Sequence, residues 1–531
     1  MKIELSIENI VLFLLSTTFL IGIWHGFPFT NVVADEMFFS GSVLRSIENY
    51  SILPLPLDVP YGTVTFYISY IFVSIGLVFM SIFFWFDIGQ LKLFITENPF
   101  IIYGIARLVS FCIAILSLLT INNFLKRYIA DYRTRLTLLV LLFTNILVNI
   151  IFHMSKVWVL STFLFAVSFY FLVKIIDSAE ERERKIYIWF CVLPAFLAFA
   201  NFPLMGVSLI AIPIILYKYW NNQNVRKTLI QVTVFGCVLF LALVASNFSG
   251  IKSQVYSIIF DYTLSPGALA HNASIGFSTY LHLKKILVMF PLLLLVLIYA
   301  LFQGNIRHRK LFFLSSFYLI LYVVLLVFVD RWSVVDKAAL RYSFPIPFFI
   351  TFLVASFDFP WRKILLIPIA VSIIYLIPTL YFLSVPTTSH KAVDFVRSNY
   401  SSDSNAVFFN KVGADTPIPQ NKLSYELFTK ASCGSLCQAT IKHDLNNDFK
   451  PITVLDAHTD PNELLKVMKG KTVYHVLRAA SSSPDLLEIA SFKGPVVDLD
   501  YYSADNSGSY FDFAYFKLER FGPNIYIYEK I

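Results

Sequence analysis

The residues able to do chemistry lie where apolar segments end. Asp35 and Glu36 stand side by side in the segment 31–61, NVVADEMFFSGSVLRSIENYSILPLPLDVPY, directly after the first long apolar run. Two carboxylates just beyond a membrane span cost little while they stay in the aqueous interface, so the pair offers acid or base chemistry at a membrane surface. On a helix the two would point about 100° apart, which suits different jobs. Met37, Phe38, Phe39, Val43, Leu44 and Ile47 then form an apolar stripe, with Ser42, Arg45, Ser46 and Glu48 on the rest of the turn. That spacing predicts an amphipathic helix lying against lipid as the floor of a site. Asp35 taken alone also fits a purely structural use, a carboxylate accepting from the free amides of a helix N-terminus.

The elements that must position these groups follow from composition. A chain of 531 residues that is 57% hydrophobic and 14% charged, with a mean hydropathy of +0.68, is excluded from the ordinary soluble class. It reads as a polytopic α-helical membrane protein. The 54 Phe and 29 Tyr suit lipid-facing helices with aromatic belts. The net charge of +8 is accounted for by basic loops, and no nucleic-acid motif competes for it. Apolar runs near 8–27, 100–122, 136–152, 157–175, 186–200, 203–219, 228–246, 286–303, 311–329, 342–357 and 363–384 give about 11 transmembrane helices. The run 62–86 is a further candidate on hydropathy alone. If it does not cross, the basic loops at Lys126/Arg127, Arg133/Arg135, Arg182/Arg184, Arg226/Lys227, Arg307/Arg309 and Arg362/Lys363 all fall on one side, which the positive-inside rule makes cytoplasmic. It is therefore expected to be a juxtamembrane or re-entrant helix. The acid pair and the C-terminal region then share the extracytoplasmic face of a multi-pass plasma-membrane protein.

On this map the outer ends of the spans gather Asp35, Glu36, Asp58, Arg107, His153, Lys156, His271, His282, Lys284 and Arg341. Together they would line a water-accessible cavity; one at a time they fit solvated loop charges. The outer connection 247–283 carries SPGALAHNASIGFS, a composition that suits either a loop closing over a ligand or a long solvated link. Cys112, Cys191 and Cys237 stand singly in apolar runs, whereas Cys433 and Cys437 share the loop CGSLC, as a disulfide on an oxidising face or as half of a metal site. The chain divides into a transmembrane part, 1–384, and an α/β extracytoplasmic domain, 385–531. In the latter AVFF, PITVL, TVYHVL, GPVVDL, YFDFAYF and NIYIYE predict strands, while residues 392–399 and NELLKVM predict helices. It has no glycine-rich phosphate loop, so binding or capping suits it better than catalysis.

ADEMFFSGSVLRSIENY followed by PLDVPYGTVTFYISYIF resembles the GT-C fold glycosyltransferases, the superfamily of the protein O-mannosyltransferases and the lipid A aminoarabinose transferase. IARLVSFCIAIL, LAFANFPLMGVSLIAIPIILY and LRYSFPIPFFITFLVA are similar to further stretches of that pattern, and the likeness spans residues 8–384. It implies a sugar donor carried on a polyprenyl phosphate and inverting transfer, outside the cytoplasm, to a lipid, glycan or protein acceptor. Asp35 and Glu36 would be catalytic: Asp35 matches an acid that deprotonates the acceptor hydroxyl or holds a divalent metal ion orienting it, and no other cofactor is implied. Asp58 matches a second acid, though the single Pro60 departs from the pattern there. The leaving phosphate would need cations, in the order Lys156, Arg107, Arg341; each also fits an interfacial anchor. Many relatives carry an acid near Lys156 instead. His153 would assist the phosphate, ligate a metal or simply sit at the interface, and His271 would bind substrate from the 247–283 connection. The competing function is a transporter of a lipid-linked or small solute. Transporters place ionisable groups and broken helices near mid-membrane with internal repeats, whereas here the groups gather at one face and no repeat is visible.

Overall fold

A backbone in lipid must satisfy its own N–H and C=O groups, so long apolar stretches fold as helices. The computed structural model describes residues 7–27, 40–55, 62–98, 100–256, 275–330, 340–400, 405–410, 453–456, 468–477, 480–493 and 525–530. In chain order the helices are α1 (Ile7–Thr18), α2 (Ser42–Glu48), α3 (Thr63–Phe84), α4 (Ile88–Glu97), α5 (Phe100–Tyr128), α6 (Tyr132–Phe143), α7 (Ile146–Phe152), α8 (Val157–Asp177) and α9 (Glu181–Asn201). A 3-10 turn (Pro203–Ile210) leads into α10 (Ala211–Lys218), followed by α11 (Gln223–Ser246), α12 (Phe248–Tyr256), α13 (Ile275–Met289), α14 (Pro291–Gln303), α15 (Arg309–Asp330), α16 (Ile346–Val354), α17 (Leu366–Ser384) and α18 (Thr388–Tyr400).

Polar contacts define two ends. At one, the Glu8 carboxylate pairs with Lys126 (2.5 Å) and Arg135 (3.4 Å), and the Tyr128 hydroxyl donates to Asp177 (2.7 Å). His308 Nε2 lies 3.1 Å from the Tyr128 carbonyl, Asn222 donates to Glu181 (3.5 Å), and the Arg133 guanidinium lies 5.4 Å from the Trp361 ring. The basic loops thus share one end, the basic end. At the other, the head end, residues 19–27 meet Arg107, His153 and His390.

Among the described residues six helices are long and apolar enough to cross a membrane, or up to eight if each of two bent pairs is one span: α6 with α7, bent by 65°, and α13 with α14, bent by 90°. The expected eleven exceeds both figures. The difference lies in α1, α9, the Pro203–Lys218 stretch and α16. These are shorter or, in α9, begin with a charged turn.

The six include α3, whose 22 residues would extend about 33 Å, and here the contacts decide. Thr65 N–H donates to Asn201 Oδ1 (2.8 Å) and Asn247 Nδ2 to Thr63 Oγ1 (3.4 Å), so α3 starts at the head ends of α9 and α11. A Cβ on Gly76 would come within 2.7 Å of Ile105 Cδ1, in the second turn of α5. The chain returns to the head end at Phe100, whose ring lies 5.7 Å from that of Phe27. The α3–α4 segment therefore begins and ends at the head end, as the basic-loop argument requires. Phe66, Ser69 and Val73 form its buried face, and Ile71, Ile75, Val78 and Ile82 an exposed apolar stripe.

The helix at 42–48 departs from expectation. Val43 and Leu44, expected to face lipid, are buried within the protein, and so are Ser42 and Ser46, each at 0% exposure. α2 is enclosed by protein rather than laid on lipid, and Ser46 Oγ donates to the Leu53 carbonyl (3.2 Å). Residues 37–39 of the stripe lie outside the described residues.

The core centres on α8 and α16, apolar all round, as befits helices buried inside a bundle. Phe169 and Phe124 each pack on Phe352 at 4.7 Å, and Phe165 on Phe349 at 4.7 Å. Two short strands, β1 (Asn305–Ile306) and β2 (Phe357–Asp358), pair antiparallel, and a separate small core joins α18 to a five-stranded mixed sheet of order β4-β3-β5-β7-β6. Its strands are β3 (Ala406–Asn410), β4 (Thr453–Asp456), β5 (Thr472–Leu477), β6 (Leu486–Phe492) and β7 (Ile525–Lys530), β3 pairing in parallel with β4 and β5. The edge strand β6 was not anticipated: a register shift between Glu488 and Ala490 breaks its alternation. GPVVDL, YFDFAYF, most of NELLKVM and both Cys433 and Cys437 lie outside the described residues.

Candidate functional site at the head end

The site is built on the bend between α6 and α7. Thr144 ends α6 and Asn145 starts α7: Asn145 Oδ1 accepts from Val148 N–H (3.4 Å), and Nδ2 donates to the Met289 carbonyl (3.0 Å), joining this bend to the one at the end of α13. α7 stops at His153, whose Nδ1 lies 2.7 Å from the Asn149 carbonyl and whose Nε2 lies 2.7 Å from that of Ile21. The imidazole therefore pins α7 to the first loop.

Lys156 follows in extended conformation, directly ahead of α8. It is only 4% exposed. Its Nζ lies 5.6 Å from the Trp158 ring centre, and among the described residues no carboxylate pairs with it. Asn201, with 0% exposure, braces this corner: its Nδ2 donates to the Val157 carbonyl (3.1 Å) and to Ser161 Oγ (2.8 Å), while its Oδ1 accepts from α3. A buried ammonium beside a helix N-terminus favours an anion on two counts, its own charge and the amides pointing outward.

Arg107 is equally buried, at 2% exposure, but differently engaged. Its Nη1 donates to the carbonyls of Ile23 (2.8 Å) and His25 (2.6 Å), and its guanidinium lies 4.5 Å from the centre of the Phe27 ring. Arg341 lies in the 3-10 turn Leu340–Ser343, close to Phe344, which packs on Phe152 of α7 at 5.5 Å; its side chain is outside the described residues. Asp35, Glu36, Asp58 and His271 also lie outside them.

Two basic groups were missed by sequence reasoning or placed in a loop. Lys284 is exposed, whereas its neighbour Lys285 is 4% exposed and His282, one turn earlier, 1%. Both lie within α13, which begins ahead of the expected span and takes up part of the 247–283 connection. Only the helical phase of α13 could have told Lys285 from Lys284.

No family model and no curated protein matches the chain. Among solved structures it is similar to ArnT from Cupriavidus metallidurans bound to undecaprenyl phosphate, at 8% identity and a TM-score of 0.46 over 99% of both chains. It is also similar to the apo form of the Archaeoglobus fulgidus oligosaccharyltransferase, at 10% identity and a TM-score of 0.40 over 90% of this chain and 70% of that one. The apo state of the same ArnT gives 10% identity and a TM-score of 0.30 over 99% of both.

Among the described residues no group of three or more His, Cys, Asp and Glu is arranged to hold a metal ion. Cys191 is buried 3.8 Å from Ser168 Oγ, and Cys112 and Cys237 are exposed.

Proposed function

We propose that the protein is an integral membrane glycosyltransferase that moves a sugar from a polyprenyl-phosphate donor to a hydroxyl of a lipid, glycan or protein acceptor on the extracytoplasmic side. The observation that carries this is Lys156: a buried amine, at the end of the molecule opposite the basic loops, without a carboxylate partner among the described residues. A buried ammonium is costly unless an anion neutralises it, and an incoming phosphate would do so. The resemblance of ADEMFFSGSVLRSIENY to GT-C sequences supplies the other half of the reaction.

In this mechanism the Asp35 carboxylate takes the proton of the acceptor hydroxyl; were a divalent ion bound there, Asp35 would be the residue to hold it and the ion would make that hydroxyl more acidic. The acceptor oxygen attacks the anomeric carbon from the face opposite the phosphate, inverting it. The bond from that carbon to the phosphate oxygen breaks, and the lipid phosphate leaves with the electron pair, its charge neutralised by Lys156. Lys285, buried on α13, supplies a further positive charge. The two bent helix pairs favour a second function, transport, because broken helices are a transporter device.

Purified protein in nanodiscs, given radiolabelled polyprenyl-phosphate sugars and candidate acceptors, separates the two. Transfer is expected, and Asp35→Asn should lower turnover by about 100-fold or more while leaving the thermal midpoint unchanged. No transfer from any donor, together with solute uptake by proteoliposomes, would leave transport standing.

A further inference from the structure

Residues 19–27 form a string of tight turns whose backbone accounting is uneven. The carbonyls of Leu20, Gly22 and Trp24 each accept from an N–H within the string, those of Ile23 (3.2 Å), His25 (2.9 Å) and Phe27 (3.0 Å). Gly22 and Gly26 take positive φ, +88° and +82°, to make these turns. The alternate carbonyls, Ile21, Ile23, His25 and Phe27, are taken by basic side chains from three distant elements. His153 takes Ile21, Arg107 takes Ile23 and His25, and His390 takes Phe27 at 3.0 Å. Carbonyls withdrawn from water need partners, and these four alternate ones, buried at His25 and part-buried at the other three, are met by cations or imidazoles at 2.6–3.0 Å.

His390 is further specified. Its Nδ1 faces the Thr387 N–H (3.2 Å) and the Thr387 hydroxyl (2.8 Å). An N–H can only donate, so Nδ1 accepts and Nε2 carries the proton given to Phe27. The same stretch is wedged against the end of α17: a Cβ on Gly22 would fall 2.5 Å from Leu383 Cβ, and Trp24 Nε1 donates to the Ser384 carbonyl (3.4 Å).

We propose that Arg107 and His390 are positioning residues: by holding the alternate carbonyls of residues 21–27 they fix the point from which the acid-bearing segment sets out, and they do not bind the donor phosphate. The kinetic part of this inference rests on the proposed function; the structural part does not.

The test pairs hydrogen exchange with ligand binding on the full-length protein in nanodiscs, using undecaprenyl phosphate as the probe. Arg107→Gln and His390→Ala should each raise deuterium uptake of peptides covering residues 19–27 by about twofold or more, because each exposes a held backbone. They should leave undecaprenyl phosphate affinity within about twofold and lower kcat about tenfold, as expected of a misplaced rather than a missing group. His390→Gln, which keeps an N–H donor, should restore the protection. Lys156→Gln should do the reverse, weakening the probe about tenfold or more with uptake unchanged. Weakened binding without increased uptake in Arg107→Gln would make Arg107 a phosphate ligand and overturn the proposal; so would unchanged uptake in both variants. Should Arg107→Gln fail to fold, the two His390 variants decide the question alone. A wild-type protein that binds no undecaprenyl phosphate counts against the glycosyl-transfer reading and leaves the exchange measurement, which uses no ligand, intact.

Discussion

Lys156 and Arg107 are both buried cations at one end of a helical body, and they differ in what surrounds the charge. Arg107 donates to two carbonyls and faces an aromatic ring; Lys156 has a ring and a helix N-terminus. Lys156→Ala should therefore weaken undecaprenyl phosphate binding by about tenfold or more, and Lys156→Arg should recover part of it because the charge is kept. Wild-type affinity in Lys156→Ala would reduce the residue to an anchor. His390 carries a pH dependence of its own. Burial lowers its pKa from 6.5, against the opposing pull of the Phe27 carbonyl and of Asp394, which is exposed one turn on; buried His25 lies near on the loop side. A lowered folded value means that the unfolded chain binds the proton more readily, so stability rises with pH. The Nδ1 contact with the Thr387 N–H, which needs the neutral ring, should be full above about pH 6.5 and lost as the pH falls through the folded value, whereas Nε2 keeps its proton and its tie to Phe27. Thermal midpoints of wild type and His390→Ala should accordingly differ most at about pH 7.5 and converge toward about pH 5. A constant difference would show that the ring acts by packing alone.

Among the elements, the corner where α3, α8 and α9 meet has the least tolerance. Asn201 is fully buried and satisfies three groups on two other helices. Asn201→Leu should cost about 1–3 kcal/mol, since it strands an N–H and a carbonyl, visible as a lower midpoint and a shorter half-life in detergent. Gly236 of α11 marks a second close approach: a Cβ there would fall 2.2 Å from Phe196 Cδ2. Gly236→Leu should destabilise by about 1–3 kcal/mol through overpacking, and an unchanged midpoint would mean that Phe196 swings aside freely. At this scale the sequence was informative about period and poor about phase. It marked Val43 and Leu44 as an apolar stripe but assigned that stripe to lipid, and it did not show that Ser42 and Ser46 are enclosed too, because burial from a second side leaves no periodic trace. It named Lys284 and passed over Lys285, one position and about 100° away.

For the whole molecule, the one-sided basic loops were legible because lipid forces the chain to declare its sides through lysine and arginine, and the contacts of Glu8, Tyr128 and Trp361 gather those loops at one end. That Arg107 donates to the carbonyls of Ile23 and His25 was not legible, because a residue type announces a charge but not which groups receive it. Sidedness itself is open to measurement. Cysteines at Tyr50, which is 93% exposed, and at exposed Ser482 should label with an impermeant thiol reagent in intact cells, and one at exposed Gln223 should not. Labelling of Gln223 together with Tyr50 would contradict the two-ended arrangement. Ser42, fully buried, would be a misleading probe.

The tie between Phe27 and His390 joins residues 363 positions apart, and this sets a timetable for biosynthesis. A ribosome adding about 5–20 residues per second needs roughly 20 to 70 s to pass from one to the other. Throughout that interval the first loop has some of its carbonyls waiting for partners not yet translated. Arg107 arrives early, His153 next and His390 last, after α17. A nascent chain arrested before residue 390 should therefore present an unfinished first loop to membrane proteases and chaperones, making completion of that loop a late checkpoint that the cell can read before the protein is released.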